Sequence, residues 1–148
     1  MRKRKNLHRA KKQTMEVLGE FDPEEILPFV GSGSKEYTDN KGVVWKIKMG
    51  SARYKVFNKN KSCVVCGLAG TVMLLEKHHS SKTPHFNLYA IDDKDDMVLM
   101  TKDHVVPKSK GGSDCLDNYQ TMCFVCNSLK KNHDVSIQTL RDKRKQVR

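Results

Sequence analysis

The sequence has no long apolar segment and no apolar region after its basic start. No run approaches the roughly 18–20 consecutive apolar residues that a membrane-spanning helix needs, so we expect no membrane span. A secretory signal peptide has an apolar region after its basic residues, and none follows MRKRKNLHRAKK. We therefore expect an intracellular, cytoplasmic protein.

Acidic residues are scarce relative to basic ones. The 148 residues include 28 lysines and arginines but only 17 aspartates and glutamates, which gives a net charge of +11. Such a surplus favours a polyanionic partner, and nucleic acid is the first candidate. Charge alone does not separate a nuclease from a passive DNA- or RNA-binding protein. A chain of this length predicts one small core that would gain from a metal or covalent staple.

The cysteines do not fit a disulfide framework. They number five, an odd count, in a chain for which we expect no export. Four of them form two Cys-x-x-Cys pairs with 56 residues between the pairs, namely Cys63 with Cys66 and Cys123 with Cys126. Two such pairs in a basic chain predict a tetrahedral zinc site with four thiolate ligands. The alternative is a set of buried apolar cysteines, and Cys115 is left over as a bystander.

Local patterns predict a mixture of helices and strands. Residues 1–20 are interpreted as a solvated tail or a helix that orders on a phosphate backbone. Gly31 to Ser34 is interpreted as a flexible connector, and the four aspartates at 92–96 as a hairpin tip rather than a metal site. The patterns favour helices after Asp22 and over 52–58, 127–133 and 136–147, and strands over 43–49, 86–91 and 97–106.

The segment around the second cysteine pair carries polar residues in a specific order. Histidine ionises near neutral pH and can take a proton from water, while carboxylate and amide oxygens suit Mg²⁺ or Mn²⁺. An Asp-His pair alone at a strand end is more often structural than catalytic. The combination favours a catalytic site, and it reads Asp103, His104, Pro107, Gly111, Gly112, Asn118, Cys123, Cys126, Asn127 and Lys130.

This arrangement resembles the HNH endonuclease family. Together with Cys63 and Cys66, the resemblance covers about residues 61–131. It implies a ββα-metal core stapled by structural Zn²⁺, and metal-dependent hydrolysis of phosphodiester bonds that leaves 5′-phosphate and 3′-hydroxyl ends. His78 or His79 would bind the zinc ion only if one of the cysteines did not.

The resemblance also implies roles for individual residues. His104 would act as the general base, Asp103 and Asn127 would hold the catalytic Mg²⁺ or Mn²⁺, and Asn118 would bind the backbone of the loop that carries the base. Asn127 stands where other family members carry histidine, which favours Mg²⁺ or Mn²⁺ over zinc or nickel. The lysines expected to contact nucleic acid are Lys108, Lys110 and Lys130.

We therefore expect an α+β protein in three parts. These are a basic N-terminal extension over 1–60, a zinc-stapled HNH (His-Me finger) nuclease domain over 61–133, and a basic C-terminal helix or tail over 134–148. The expected partner is DNA, double-stranded in the simplest case, with RNA left open as a substrate and both monomer and dimer compatible with the sequence. The competing interpretation is a non-enzymatic zinc-containing module that binds nucleic acid. Compact size and basic ends are typical of a phage or mobile-element nuclease.

Overall fold

The computed structural model describes residues 15–31 and 33–147, so the basic start over residues 1–12 lies outside the described residues. Helices and strands are mixed, in agreement with the expected α+β class. The strands are Met15–Phe21 (β1), Ser34–Thr38 (β2), Val44–Lys48 (β3), Gly70–His78 (β4), His85–Ile91 (β5), Met97–His104 (β6) and Tyr119–Cys123 (β7). The helices are Pro23–Ile26 (α1), Ala52–Lys59 (α2), Phe124–Lys130 (α3) and Ile137–Lys145 (α4). None of these helices combines the length and the apolar character needed to span a bilayer.

Five strands form one sheet, and the other two form a separate hairpin. The order in the sheet is β1-β4-β5-β6-β7, with every neighbouring pair antiparallel. Strands β2 and β3 pair only with each other. Strand β1 comes from the predicted extension over 1–60, and the other four strands come from the predicted domain over 61–133. The two predicted parts therefore share this sheet.

The larger hydrophobic core lies against one face of the sheet. Alternate side chains of a strand point to the same face, and the core receives Met73 and Leu75 of β4 and Phe86, Leu88 and Ala90 of β5. Phe86 of β5 is fully buried at its centre, where its ring meets those of Phe21, Tyr37 and Tyr54 edge-on at 5.5, 4.8 and 6.4 Å between centroids. Leu74, Tyr89 and Leu99 form a second, smaller cluster.

Several local predictions differ from the structure, among them the ends of the strand predicted over 97–106 and of the helix predicted over 127–133, which stop at His104 and Lys130. The stretch from Met15 is not a tail or a helix, since it forms β1 and pairs with β4 from Met15 opposite His78 onward. Ser34 is not part of a connector, because it is the first residue of β2. Helix α3 begins at Phe124, three residues earlier than expected, because Cys123 accepts a hydrogen bond from the Cys126 N–H and caps the helix.

Strands β5 and β6 part after a short pairing. They pair at only three positions, which join Tyr89–Ile91 to Met97–Leu99. Helix α2 fills the gap that opens beyond them. The Phe86 N–H donates to the Tyr54 hydroxyl at 2.9 Å, and the Arg53 guanidinium donates to the Phe86 carbonyl at 2.7 Å. Two side chains of α2 thus replace the missing strand partner of β5.

Removing the Tyr54 hydroxyl should destabilise the protein. Tyr54→Phe leaves the buried Phe86 N–H without its acceptor. An unsatisfied buried donor costs about 1–3 kcal/mol, so we expect the free energy of unfolding to fall by about that amount. Urea unfolding followed by circular dichroism measures the change.

Tyr37→Phe is the matched control. The Tyr37 hydroxyl is buried and has no hydrogen-bond partner among the described residues. Its removal sacrifices no hydrogen bond, so the free energy of unfolding should stay the same or rise slightly. Equal losses in the two variants would contradict the role given to Tyr54.

Candidate metal centre and active site

The four predicted cysteine ligands come together in space. The Sγ atoms of Cys63, Cys66, Cys123 and Cys126 all lie within 4.8 Å of one another, and those of Cys66 and Cys123 are 3.8 Å apart. A tetrahedron with Zn–S bonds of about 2.3 Å has S–S edges of about 3.8 Å. The cluster therefore fits a zinc ion. Within residues 15–31 and 33–147 it is the one group of three or more Cys, His, Asp or Glu side chains that could hold a metal ion.

Backbone contacts bring the two cysteine pairs together. The N–H of Val64, in the first pair, donates to the carbonyl of Thr121 in β7 at 3.0 Å. The first pair ends in a tight turn at Gly67, whose φ of +77° is unfavourable for other residues. The second pair spans the junction of β7 and α3. The cluster thus joins the loop before β4 to the start of α3.

Helix α4 brings positive charge to the cysteine cluster. Hydrogen bonds from the thiols of Cys123 and Cys126 lower the pKa of Cys66 to about 6, whereas hydrogen bonds within the cluster raise the pKa of Cys126. Arg144 of α4 is partly buried, which disfavours its charge, but attraction by the sulfurs of Cys126 and Cys123 outweighs burial and raises its pKa. Arg141 of the same helix donates to the Val65 carbonyl at 3.0 Å. Helix α4 thus places positive charge beside the sulfurs.

Asn118 fastens the loop that follows β6. Its side-chain oxygen accepts from the Val106 N–H at 2.9 Å, and its side-chain nitrogen donates to the carbonyls of Val106 at 3.1 Å and Ser113 at 2.8 Å. Gly112 allows this close approach, because a Cβ atom there would lie 1.8 Å from the Val106 carbonyl oxygen. The amide thus closes both ends of the loop that leaves His104.

His104 ends β6 and has a carboxylate partner. Its Nε2 lies 2.9 Å from Asp114 Oδ1, while Asp114 Oδ2 lies 2.9 Å from the Lys108 ammonium. The hydrogen bond with His104, followed by that with Lys108, lowers the pKa of Asp114 to about 2. The edge of the imidazole also contacts the ring of Tyr119, its partner across β6 and β7, at 4.9 Å between centroids.

Asp114 is absent from the residues singled out in the sequence. The only signal for it is its position, an acidic residue directly after the basic loop Lys108 to Ser113. Nothing in the local pattern shows that the loop folds back onto His104. Lys110, in the same loop, is exposed.

Asp103 is buried on the face of β6 opposite to His104. Its side chain is 8% exposed, and its Oδ2 accepts from the Lys130 ammonium at 2.7 Å and from the Gln120 amide at 2.9 Å. The same ammonium donates to the His104 carbonyl. Lys130 is only 2% exposed, so the structure places it on Asp103 rather than at the surface where the sequence predicts a nucleic-acid contact.

Asn127 lies on the same side of β6 as Asp103. Its amide donates to the Thr101 hydroxyl at 2.9 Å, and Thr101 precedes Asp103 by two positions, so both point to one face of the strand. His104 points to the opposite face. The structure therefore groups Asp103 with Asn127 and Lys130, and groups His104 with Asp114.

Replacing one cysteine of the cluster should release its metal ion and loosen the fold. A structural zinc site can supply much of the stability of a small domain, because the site is absent from the unfolded chain. After exhaustive dialysis we expect about one zinc per chain. We expect Cys63→Ser to lower both the zinc content and the thermal midpoint, measured by metal analysis and thermal melting.

Cys115→Ser is the control, because Cys115 is exposed and outside the cluster. It should retain the zinc content and the thermal midpoint of the wild type. A wild-type protein that is folded and free of metal would contradict the zinc assignment.

Comparison with known proteins gives one match. Residues 90–133 match the family described as HNH endonuclease. No curated protein and no solved structure matches the chain. The matched segment contains β6, β7 and α3, and with them the candidate base, its loop and the second cysteine pair. The chain thus carries a domain of the HNH endonuclease family at residues 90–133.

Proposed function

We propose that the protein is a metal-dependent endonuclease that hydrolyses phosphodiester bonds in DNA. The observation that carries this proposal is the hydrogen bond between His104 and Asp114, within the segment that matches the HNH family. It gives a histidine at a strand end the partner that a general base needs. The net charge of +11 supports a polyanionic substrate. In this proposal β6, β7 and α3 form the ββα-metal core.

His104 is the proposed general base. When its Nε2–H donates to Asp114, its Nδ1 keeps a free lone pair and can accept a proton from the attacking water. Asp114 then faces the imidazolium that forms and stabilises its charge. Because the pKa of Asp114 is lowered to about 2, its carboxylate is charged at every pH above about that value. Asn118 acts indirectly, by fixing the loop that joins His104 to Asp114.

Asp103 and Asn127 are the proposed ligands of the catalytic ion. One carboxylate and one amide are hard oxygen donors, which fit Mg²⁺ or Mn²⁺ and leave positions for phosphate oxygens. When bound, such an ion offsets the negative charge that develops on the leaving 3′-oxygen. Lys130 and Gln120 both bind Oδ2 of Asp103 and so orient the carboxylate. The cysteine site would be purely structural.

One observation favours the alternative, a zinc module that binds nucleic acid without cleaving it. The buried ion pair with Lys130 satisfies Asp103 without a metal ion. Incubation of supercoiled plasmid with the purified protein, with and without Mg²⁺ or Mn²⁺, separates the two functions. Conversion to nicked or linear DNA only in the presence of the ion supports the nuclease.

Replacing His104 should slow cleavage strongly and leave the other properties of the protein unchanged. His104→Ala removes the group that moves the proton, so the cleavage rate should fall by about 10²–10⁴-fold. Zinc content, thermal midpoint and DNA affinity should stay near wild type. The rate is measured on the same plasmid at saturating Mg²⁺. A His104→Ala protein that cuts as fast as the wild type would place the active site elsewhere.

Asp114 should act through His104. Asp114→Asn leaves a neutral partner that cannot stabilise the imidazolium, so we expect a lower cleavage rate with unchanged DNA affinity. The double variant with His104→Ala should be no slower than His104→Ala alone, because groups that act as a unit are not additive. Single-turnover cleavage of one DNA substrate measures all three rates.

Asp117→Asn is the control for the loss of one negative charge in this loop, since Asp117 is exposed and lies three residues from Asp114. It should cut like the wild type. If Asp114→Asn slows the His104→Ala protein further, or if Asp117→Asn has the same effect as Asp114→Asn, then Asp114 is not the partner of the base.

A further inference from the structure

A basic cleft opens where β5 and β6 part. Its volume is about 690 Å³, and it lies between β3, the start of α2 and the beginning of β5. No aspartate or glutamate lines it. We call this cavity the basic cleft, after its basic lining residues Lys46, Lys48, Arg53, His85 and Lys102.

We propose that the basic cleft binds the sugar-phosphate backbone of DNA that extends from the candidate active site. The identity of the ligand rests on the proposed function, but the cleft itself does not. Only Lys102 belongs to residues 90–133, so four of the five residues lie outside the segment that matches the HNH family. Most of the cleft is therefore formed by residues outside that segment.

The cleft adjoins the candidate base. Lys102 and His104 are two positions apart in β6, so their side chains leave the same face of the strand about 7 Å apart. Both contact the Tyr119 ring, whose centroid lies 4.2 Å from the Lys102 ammonium and 4.9 Å from the centroid of the His104 imidazole. A DNA strand whose scissile phosphate lies beside His104 can thus continue past Lys102 into the cleft.

Arg53 is held in place by two neutral acceptors. Its guanidinium donates to the side-chain oxygen of Asn87 at 2.6 Å and to the carbonyl of Phe86 at 2.7 Å. Both acceptors are neutral, so Arg53 forms no direct ion pair with either, although Asn87 also donates to the buried Glu76 carboxylate at 3.0 Å. A guanidinium has five N–H donors, and these two bonds leave others for phosphate oxygens. The side chain is therefore held in place before any ligand binds.

The lysines of the cleft lack acidic partners. None of the ion pairs among residues 15–31 and 33–147 involves Lys46, Lys48 or Lys102. The nearest cross-strand neighbours are Ser34 opposite Lys48 and Glu36 opposite Lys46, and Glu36 forms no ion pair with it. Unpaired like charges around one cavity raise its positive potential and attract an anion.

The number of charges favours a repeating anion over a single phosphate. Three lysines and an arginine, from two strands and a helix, line the cleft. Duplex DNA presents one negative charge per about 1.7 Å of its axis, so it can engage several of these cations at once. The position of Lys102 beside His104 ties the cleft to the substrate of the candidate active site.

The test is the salt dependence of DNA binding by a cleft variant. Lys46→Gln combined with Lys48→Gln removes two charges that belong to neither the candidate active site nor the cysteine cluster. Binding of a fluorescent DNA duplex is measured by anisotropy between 50 and 200 mM salt, with no divalent ion added. Each lost phosphate contact should reduce the slope of log K against log salt by about 0.9, so we expect a reduction of about 1.8.

Lys55→Gln combined with Lys143→Gln is the matched control, since both lysines are exposed and outside the cleft. Its slope should equal that of the wild type. An unchanged slope in the cleft variant, or an equal change in the control, overturns the proposal. A change seen with duplex RNA but not with DNA overturns the choice of ligand. The binding measurement does not depend on cleavage. A wild type that cuts no DNA would therefore contradict the proposed nuclease function, while the salt dependence would still test the cleft.

Discussion

The four-cysteine cluster joins two parts of the chain that are far apart in sequence, at the point where β7 turns into α3. The direction of α3 depends on this junction, since Cys123 both belongs to the cluster and caps the helix. Lys130 and Asn127 lie on α3 and reach across to β6. A small core gains most from such a constraint, because its apolar area alone leaves little stability.

Strand β6 divides the candidate active site by its pleat. Adjacent side chains leave a strand on opposite faces, so Asp103 meets α3 while His104 meets Tyr119 and the loop that carries Asp114. Each of the two residues is then oriented by partners of its own. The Lys130 ammonium contacts both groups of atoms, through the Asp103 carboxylate and the His104 carbonyl, and so links the two sides of the strand.

Helix α2 both completes the open edge of β5 and supplies a charge to the basic cleft. Because β5 and β6 part after three paired positions, the open edge of β5 needs donors and acceptors, which Arg53 and Tyr54 supply. An arginine in this place satisfies a backbone carbonyl and also brings a fixed positive charge to the surface. The same irregularity in the sheet therefore stabilises β5 and forms the wall of the basic cleft.

Features that depend on residues close together in the sequence could be predicted from the sequence alone. The two Cys-x-x-Cys pairs show their ligands by spacing alone, and the order of Asp103, His104 and Asn118 within a short segment carries the family resemblance. A capping aspartate followed by proline likewise marks the start of α1, since the cap depends on neighbouring residues only.

Contacts between distant segments could be decided only by the tertiary structure. Strand β1 has little strand signal of its own and forms because β4 offers its edge. Asp114 becomes the partner of His104 only when the loop closes, and Lys130 turns from an expected surface charge into a buried one only when α3 packs on β6. The sequence thus determined which side chains are available for chemistry. Folding decided which of them meet, because burial and pairing depend on residues that no local pattern contains.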